Sequence, residues 1–361
     1  MRRAIIVVAL TVVVLGVPTT LVLIAANTDD GSTGAPNCEK PTQPSADTTP
    51  PHAAAHPPSP NIAPIERLGL WNGTAFQSIT APGTISNGHL YVLVHGWQAG
   101  LLDAVNGFPG PGPLLIWDPQ AVTPTGASDV GIWLAPMAQA LTKLDPAAVV
   151  VAYSWLDDAA TGSSLSDAKD AESETVPNGQ RLAAVLNEAI SASFAGNGGE
   201  VHVIGHSFGS KVATIASLGL TTPPRQLTLM DSPDISVVAA VGASNDLVPY
   251  LRTLKIGRGA SQTFVDNYTS IFGCAYGQQK GLDQVVDVRL VPSQYKVTDV
   301  QDKHLYPPKW YTAAALDPQA GVGPEWSPLL GAKYTSLGLA YVQTNPGDIA
   351  RQLALTRTGP T

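Results

Sequence analysis

Between residues 90 and 291 the chain repeats one pattern: short, largely apolar runs rich in Val, Ile and Leu, several followed by a stretch of helical spacing. The runs are 90–94, 149–153, 201–204, 227–230, 263–265 and 285–291. A strand with one face in water alternates apolar and polar residues, whereas a run apolar throughout suits a strand of a parallel sheet covered on both faces. Between runs, Met137, Ala140, Leu141 and Leu144 share one helical face, as do Leu182, Val185, Leu186, Ala189 and Ile190, with Gly196 beyond as a stop. Val212, Ile215 and Ala216 repeat the spacing after the third run. Alternating strands and helices predict an α/β fold with a mostly parallel, doubly wound sheet. Residues 67–76, with Asn72-Gly73 at their centre, predict an N-terminal antiparallel hairpin.

Ahead of this domain, assigned to residues 61–361, lie two segments of different character. Arg2 and Arg3 precede an uncharged run from residue 4 to 26, followed by Asp29 and Asp30. Its 23 residues match the roughly 20 that cross a bilayer core, and the flanking charges direct the downstream chain outside. Residues 1–26 therefore read as a transmembrane anchor. Cleaved secretion is the alternative, with a poorly matched cleavage site. Residues 27–60 hold eight prolines and almost no large apolar side chains, the composition of an extended spacer reaching up to roughly 100 Å. His52 and His56 belong to that composition. The Gly- and Pro-rich stretch 99–131 is too long for an ordinary connector and reads as a loop or lid, or as a surface excursion.

With 44% hydrophobic and 13% charged residues the chain can fill a large core. A net charge of −8 argues against a nucleic-acid partner. Cys38 and Cys274 fit no metal spacing; a single bridge and two free thiols are both open.

The chemistry is carried by Gly205-His206-Ser207-Phe208-Gly209, a G-x-S-x-G between an apolar run and a helical stretch. A serine at the tip of a tight strand-to-helix turn adopts a strained backbone, and small neighbours keep the turn from clashing. The next helix aims its N-terminal N–H groups at the site, and its Ser210, Ala213, Thr214, Ala216 and Ser217 let it lie close to the sheet. A hydroxyl needs an adjacent base, and behind such an elbow the order is Ser, acid, His. Of seven histidines only His304, in an expected loop, comes after Ser207. Asp231 and Asp266 both close apolar runs, where ligands of open α/β sheets bind, whereas Asp234 and Asp246 suit turn or cap roles.

Together with Leu93-Val94-His95-Gly96-Trp97, Leu229-Met230-Asp231-Ser232-Pro233 and Phe264-Val265-Asp266, this elbow resembles the α/β-hydrolase superfamily, and more loosely its pancreatic-type lipases. The resemblance covers about residues 90–304. It implies an α/β-hydrolase fold with Ser207 as nucleophile and His304 as base. In the pancreatic type the acid follows the sixth strand, which carries over to Asp231; in most other members it follows the seventh, which would make it Asp266. The oxyanion donors would be the N–H groups of Phe208 and, by resemblance, Trp97. His95 reads as a buried, hydrogen-bonded orienter, without a second ligand at metal spacing. The several disulfides and C-terminal β-sandwich of pancreatic lipases are missing from this sequence, and Trp310, Tyr311 and Trp326 read as lining an acyl pocket or packing the core.

The expectation is an extracytoplasmic carboxylic-ester hydrolase, an esterase or lipase, acting on a lipid or other small ester. It would need no cofactor or metal and would meet the membrane only through its N-terminal segment. A serine peptidase, a thioesterase or an acyltransferase would use the same three residues. A non-catalytic surface-binding protein on a hydrolase scaffold is the reading from another class.

Overall fold

The computed structural model describes residues 63–85, 88–99, 129–161, 165–193, 200–233, 246–257, 259–270, 272–290, 300–316 and 323–330, with the backbone of three further strands, Val8–Val14, Val17–Leu23 and Tyr341–Thr344. Among them one nine-stranded sheet forms the centre. In chain order its strands are β1 (Leu68–Trp71), β2 (Phe76–Ser78), β3 (His89–Val94), β4 (Ala148–Tyr153), β5 (Val201–His206), β6 (Gln226–Met230), β7 (Phe264–Thr269), β8 (Val286–Leu290) and β9 (Tyr341–Thr344). Their order across the sheet is β9-β8-β7-β6-β5-β3-β4-β1-β2. Every pair from β9 to β4 is parallel; β1 runs antiparallel to both β4 and β2. The six apolar runs are thus the six central parallel strands.

Period-two alternation sends each strand to two cores. Leu90, Val92 and Val94 of β3 join Leu182, Val185 and Leu186 of α3 (Thr175–Ser193) and Val212 and Ala216 of α4 (Gly209–Gly219). Tyr91 and Leu93 join Trp133, Met137 and Leu141 of α1 (Asp129–Leu144) and Trp310 and Tyr311 of α6 (Tyr306–Leu316) on the opposite face. Two further helices are α2 (Leu165–Ser173) and the short α5 (Val300–His304), and single helical turns lie at Leu156–Ala159 and Val248–Leu251. The chain leaves β3 toward β4 on one side and returns to β5 on the other. The sheet therefore changes direction between β3 and β5, the kind of reversal beside which open α/β sheets bind ligands at the carboxyl ends of their strands.

Local chemistry adjusts several expectations. Trp71 pairs with Phe76, so β1 and β2 are joined by four residues rather than by Asn72-Gly73 alone. Asn72 Oδ1 accepts the N–H groups of Thr74 and Ala75, each at 2.9 Å, and Gly73 takes φ 99°. Trp310 and Tyr311 pack against Tyr268, with ring centroids 5.5 and 5.2 Å away, and so belong to the core. Val8–Val14 and Val17–Leu23 pair antiparallel, where the sequence predicts one apolar helix; their many Val and Thr side chains lose rotamer freedom in a helix and favour strands. Among the described residues no helix is long and apolar enough to cross a membrane. The spacer 27–60 and residues 100–128 of the expected loop lie outside the described residues.

Five buried groups tie this fold to pH. Burial, helped at His206 by the neighbouring His304, holds His95, His202 and His206 neutral, down at about 4, 3 and 3. The stability they contribute is complete above their unfolded value of about 6.5 and is lost as the pH falls toward the folded values. Burial pushes Asp266 and Asp287 up to about 6 and about 7, with the opposite sign: their contribution is complete below about 3.9 and lost as the pH rises through the folded values. Between about pH 4 and 6, three groups that refuse a proton outweigh two that hold one. Stability is expected to fall toward acid, by on the order of 1 kcal/mol per pH unit. Urea unfolding at a series of pH values in that window reads this slope, and a midpoint rising with acid would reverse the balance.

Candidate active site

Ser207 directly follows β5, and its N–H still bonds to Met230 O of β6 at 2.9 Å. Its φ is +56°, in the left-handed region that a side chain disfavours. Ser210 N–H closes the turn onto Ser207 O at 2.9 Å, and α4 begins. The flanking glycines are required by contact. A Cβ on Gly205 would lie 2.4 Å from Gly209 O and 2.6 Å from Ser210 Cα; one on Gly209 would lie 2.3 Å from His95 O. Gly96, one residue before Trp97, meets the serine itself: a Cβ there would be 2.6 Å from Ser207 Cβ and 3.1 Å from its Oγ. The loop after β3 and the turn after β5 are thus pressed together at the reversal of the sheet.

The β3 loop is oriented from beneath. Trp155 N–H donates to His95 Nε2 at 3.1 Å, so that nitrogen carries no proton, and Nδ1–H donates to Gly96 O at 2.8 Å. Gln98 Nε2 adds a second donor to the same carbonyl at 3.3 Å. In a planar trans peptide a fixed carbonyl fixes the next N–H pointing the other way, so His95 sets the direction of the Trp97 N–H. The indole of Trp155 stacks on His95 at 5.5 Å and donates Nε1–H to His95 O at 2.7 Å. The rings of Trp97 and Phe208, the two residues expected to supply the oxyanion donors, lie 6.2 Å apart.

Met230 pairs with His206, so Asp231 stands beside Ser207 in the continued register. Asp231 is the other non-glycine residue with positive φ among those described, at +46°. Its carboxylate is fully buried and fully used. Oδ1 accepts the N–H groups of Ser270, Phe272 and Gly273 at 2.7, 3.2 and 3.0 Å. Oδ2 accepts Nδ1–H of His304 at 2.7 Å. Burial alone would raise this carboxyl, yet His304 and the backbone donors hold it below the ordinary aspartate range. With Nδ1 committed to the carboxylate, Nε2 is the free basic position of the ring. The imidazole is flanked by Phe272, 4.9 Å away edge-to-face, and by His206 at 4.5 Å. Among the described residues no hydrogen bond joins Ser207 Oγ to His304, a contact that often tightens only when substrate binds.

Asp266 sits elsewhere, and the structure brings His304 to Asp231 instead. Asp266 is bonded by Thr228 Oγ1 at 2.6 Å, Gln226 Nε2 at 3.1 Å and Tyr268 OH at 3.0 Å, between the sheet and α6. Asp246 caps a helical turn through Val248 N–H at 3.2 Å, while Asp234 lies outside the described residues. His304 ends helix α5 rather than lying in an irregular loop.

Sequence reasoning missed the 270–277 segment. No residue type there announces that three N–H groups will converge on Asp231, because backbone donors leave no mark in a sequence. The segment is pinned again at its far end. Asp287 accepts Tyr276 and Gly277 N–H at 3.1 and 2.7 Å, and Asn267 Nδ2 bonds Cys274 O at 2.8 Å. Cys274 is disulfide-bonded, which settles the open question of its state; Cys38 is the other cysteine of the sequence. Among the described residues no three His, Cys, Asp or Glu side chains converge as metal ligands. No family model matches the chain, and no curated protein is significantly similar to it.

Because Cys274 adjoins a donor to Asp231, its bond is expected to stiffen that segment. Cys274→Ser should lower the melting temperature by an amount equivalent to about 2–4 kcal/mol. Thiol titration of the denatured, unreduced protein should find no free thiol; two would contradict the bridge.

Proposed function

We propose that the chain is a serine hydrolase of the α/β-hydrolase fold that cleaves carboxylic esters through Ser207, His304 and Asp231. The observation that carries this reading is the pairing of strained residues. Among the described residues the two non-glycine positions with positive φ, Ser207 and Asp231, end neighbouring strands, and the second holds the imidazole of His304. Such backbone costs of order 1–3 kcal/mol per residue and persists where function requires the geometry.

In the proposed reaction His304 Nε2 takes the Ser207 proton as Oγ attacks the ester carbonyl. Asp231 holds the ring by Nδ1 and stabilises the imidazolium that forms. The carbonyl oxygen, now an alkoxide, is received by the N–H groups of Phe208 and Trp97, the second aimed by His95; one such donor is worth about 3 kcal/mol. Collapse of the tetrahedral intermediate breaks the bond to the alcohol, which leaves with the proton from His304. Water, deprotonated by the same nitrogen, then releases the acid and regenerates Ser207. Asp266 takes no part in this scheme. The charge pattern around residues 4–26 supports placing the domain outside the cytoplasm, tethered or released.

A fluorophosphonate probe tests the nucleophile on a chain that keeps Cys38. Wild type is expected to label and Ser207→Ala to stay unlabelled; failure of both points to a binding protein on the same scaffold. On p-nitrophenyl esters, Asp231→Asn should lose about 10⁴-fold in kcat, while Asp266→Asn stays near wild type. The reverse ranking would move the acid to β7. A labelled protein inert toward esters but active on peptides, thioesters or acyl acceptors would change the substrate class and keep the three residues.

A further inference from the structure

His304 is delivered by α5, a helix of five residues. A helix leaves its last carbonyls without intrahelical partners, and here two of them are met by side chains. Ser270 Oγ donates to Lys303 O at 2.7 Å, and His206 Nε2 donates to His304 O at 3.0 Å. A carbonyl only accepts, so His206 carries its proton on Nε2. Burial keeps this ring neutral beside His304, where a charged neighbour would oppose protonation of the base.

The origin of the two donors matters. His206 is the last residue of β5, immediately before Ser207. Ser270 directly follows β7, and its own N–H is the shortest of the three backbone donors to Asp231, at 2.7 Å. One residue thus binds the acid through its main chain and the helix of the base through its side chain. The other joins the nucleophile's turn to the backbone of the base.

From this we infer that His206 and Ser270 form a clamp on the C-terminal carbonyls of α5 that fixes where the His304 imidazole stands relative to Ser207. They are positioning residues, acting through His304 without touching substrate. The inference rests on the ester-hydrolase reading for its kinetic consequence, although the clamp itself is a matter of bonds already present. Nothing in the G-x-S-x-G pattern requires a donor at its second position, so the clamp adds a requirement at position 206 that the elbow alone does not impose.

The test uses the full oxidised chain and p-nitrophenyl acetate. Ser270→Ala removes the hydroxyl and keeps the N–H to Asp231; His206→Phe keeps a ring against His304 and removes the donor. Each is expected to lower kcat about tenfold, the value of one lost hydrogen bond, with KM unchanged within about twofold. Ser270→Thr and His206→Gln, which restore a donor, should recover most of the loss. Exchange of the His304 Nδ1 proton, measured by NMR, should quicken about tenfold in the two disrupting variants and return in the two restoring ones. The inference is overturned if the disrupting variants match wild type in kcat and exchange, if their loss falls in KM alone, or if the restoring variants stay as slow as the disrupting ones. A wild type inert toward ester and probe would end the hydrolase reading; the exchange rates would then decide the clamp by themselves.

Discussion

Two residues are held in a backbone conformation that side chains resist, at the ends of neighbouring strands, and the rest of the site is arranged to keep them there. Ser207 and Asp231 each retain the sheet's hydrogen bonding on their own N–H, to Met230 O and Tyr268 O at 2.9 and 2.7 Å. The ladder therefore grips each residue up to the point where its direction turns. Around the serine only glycine fits: Gly205 and Gly209 cross so closely that any side chain would drive the helix off the sheet, and Gly96 faces the serine at the same range. Strain of this kind survives because the surrounding contacts over-determine it.

Two buried aspartates one strand apart show how environment assigns different tasks to the same side chain. Asp231 receives three main-chain donors and one ring nitrogen, and these outweigh the cost of removing its charge from water. Asp266 is met mainly by neutral side-chain donors, and burial wins, raising its proton affinity. A charge is thereby kept where an imidazolium would need it, and discouraged in the core beside Tyr268.

Much of this is legible in the chain. Largely apolar runs give away the parallel strands because both faces of them are covered, and the glycine spacing gives away the turn because only sterics demand it. His304 emerges from order alone. The choice between Asp231 and Asp266 is not legible: both end or lie within strands, and what separates them is main-chain geometry about 40 residues downstream of Asp231, near Ser270 to Gly273. The helix that carries His304 reads as a loop because one turn is too short to show periodicity. The four-residue hairpin connection escapes for a related reason, since an Asn side chain can replace a main-chain turn without changing the sequence signal.

The bond at Cys274 alters what the long N-terminal stretch can be. Cys38 is the sole other cysteine of the sequence, so a bridge within one chain would close residues 38 to 274 into a covalent ring. If residues 1–26 rest in a bilayer, the free leash shrinks to the eleven residues 27–37, at most about 40 Å even fully extended. Its far end, Cys274, adjoins Gly273, a donor to the Asp231 carboxylate, so such a leash would end beside the acid that holds His304.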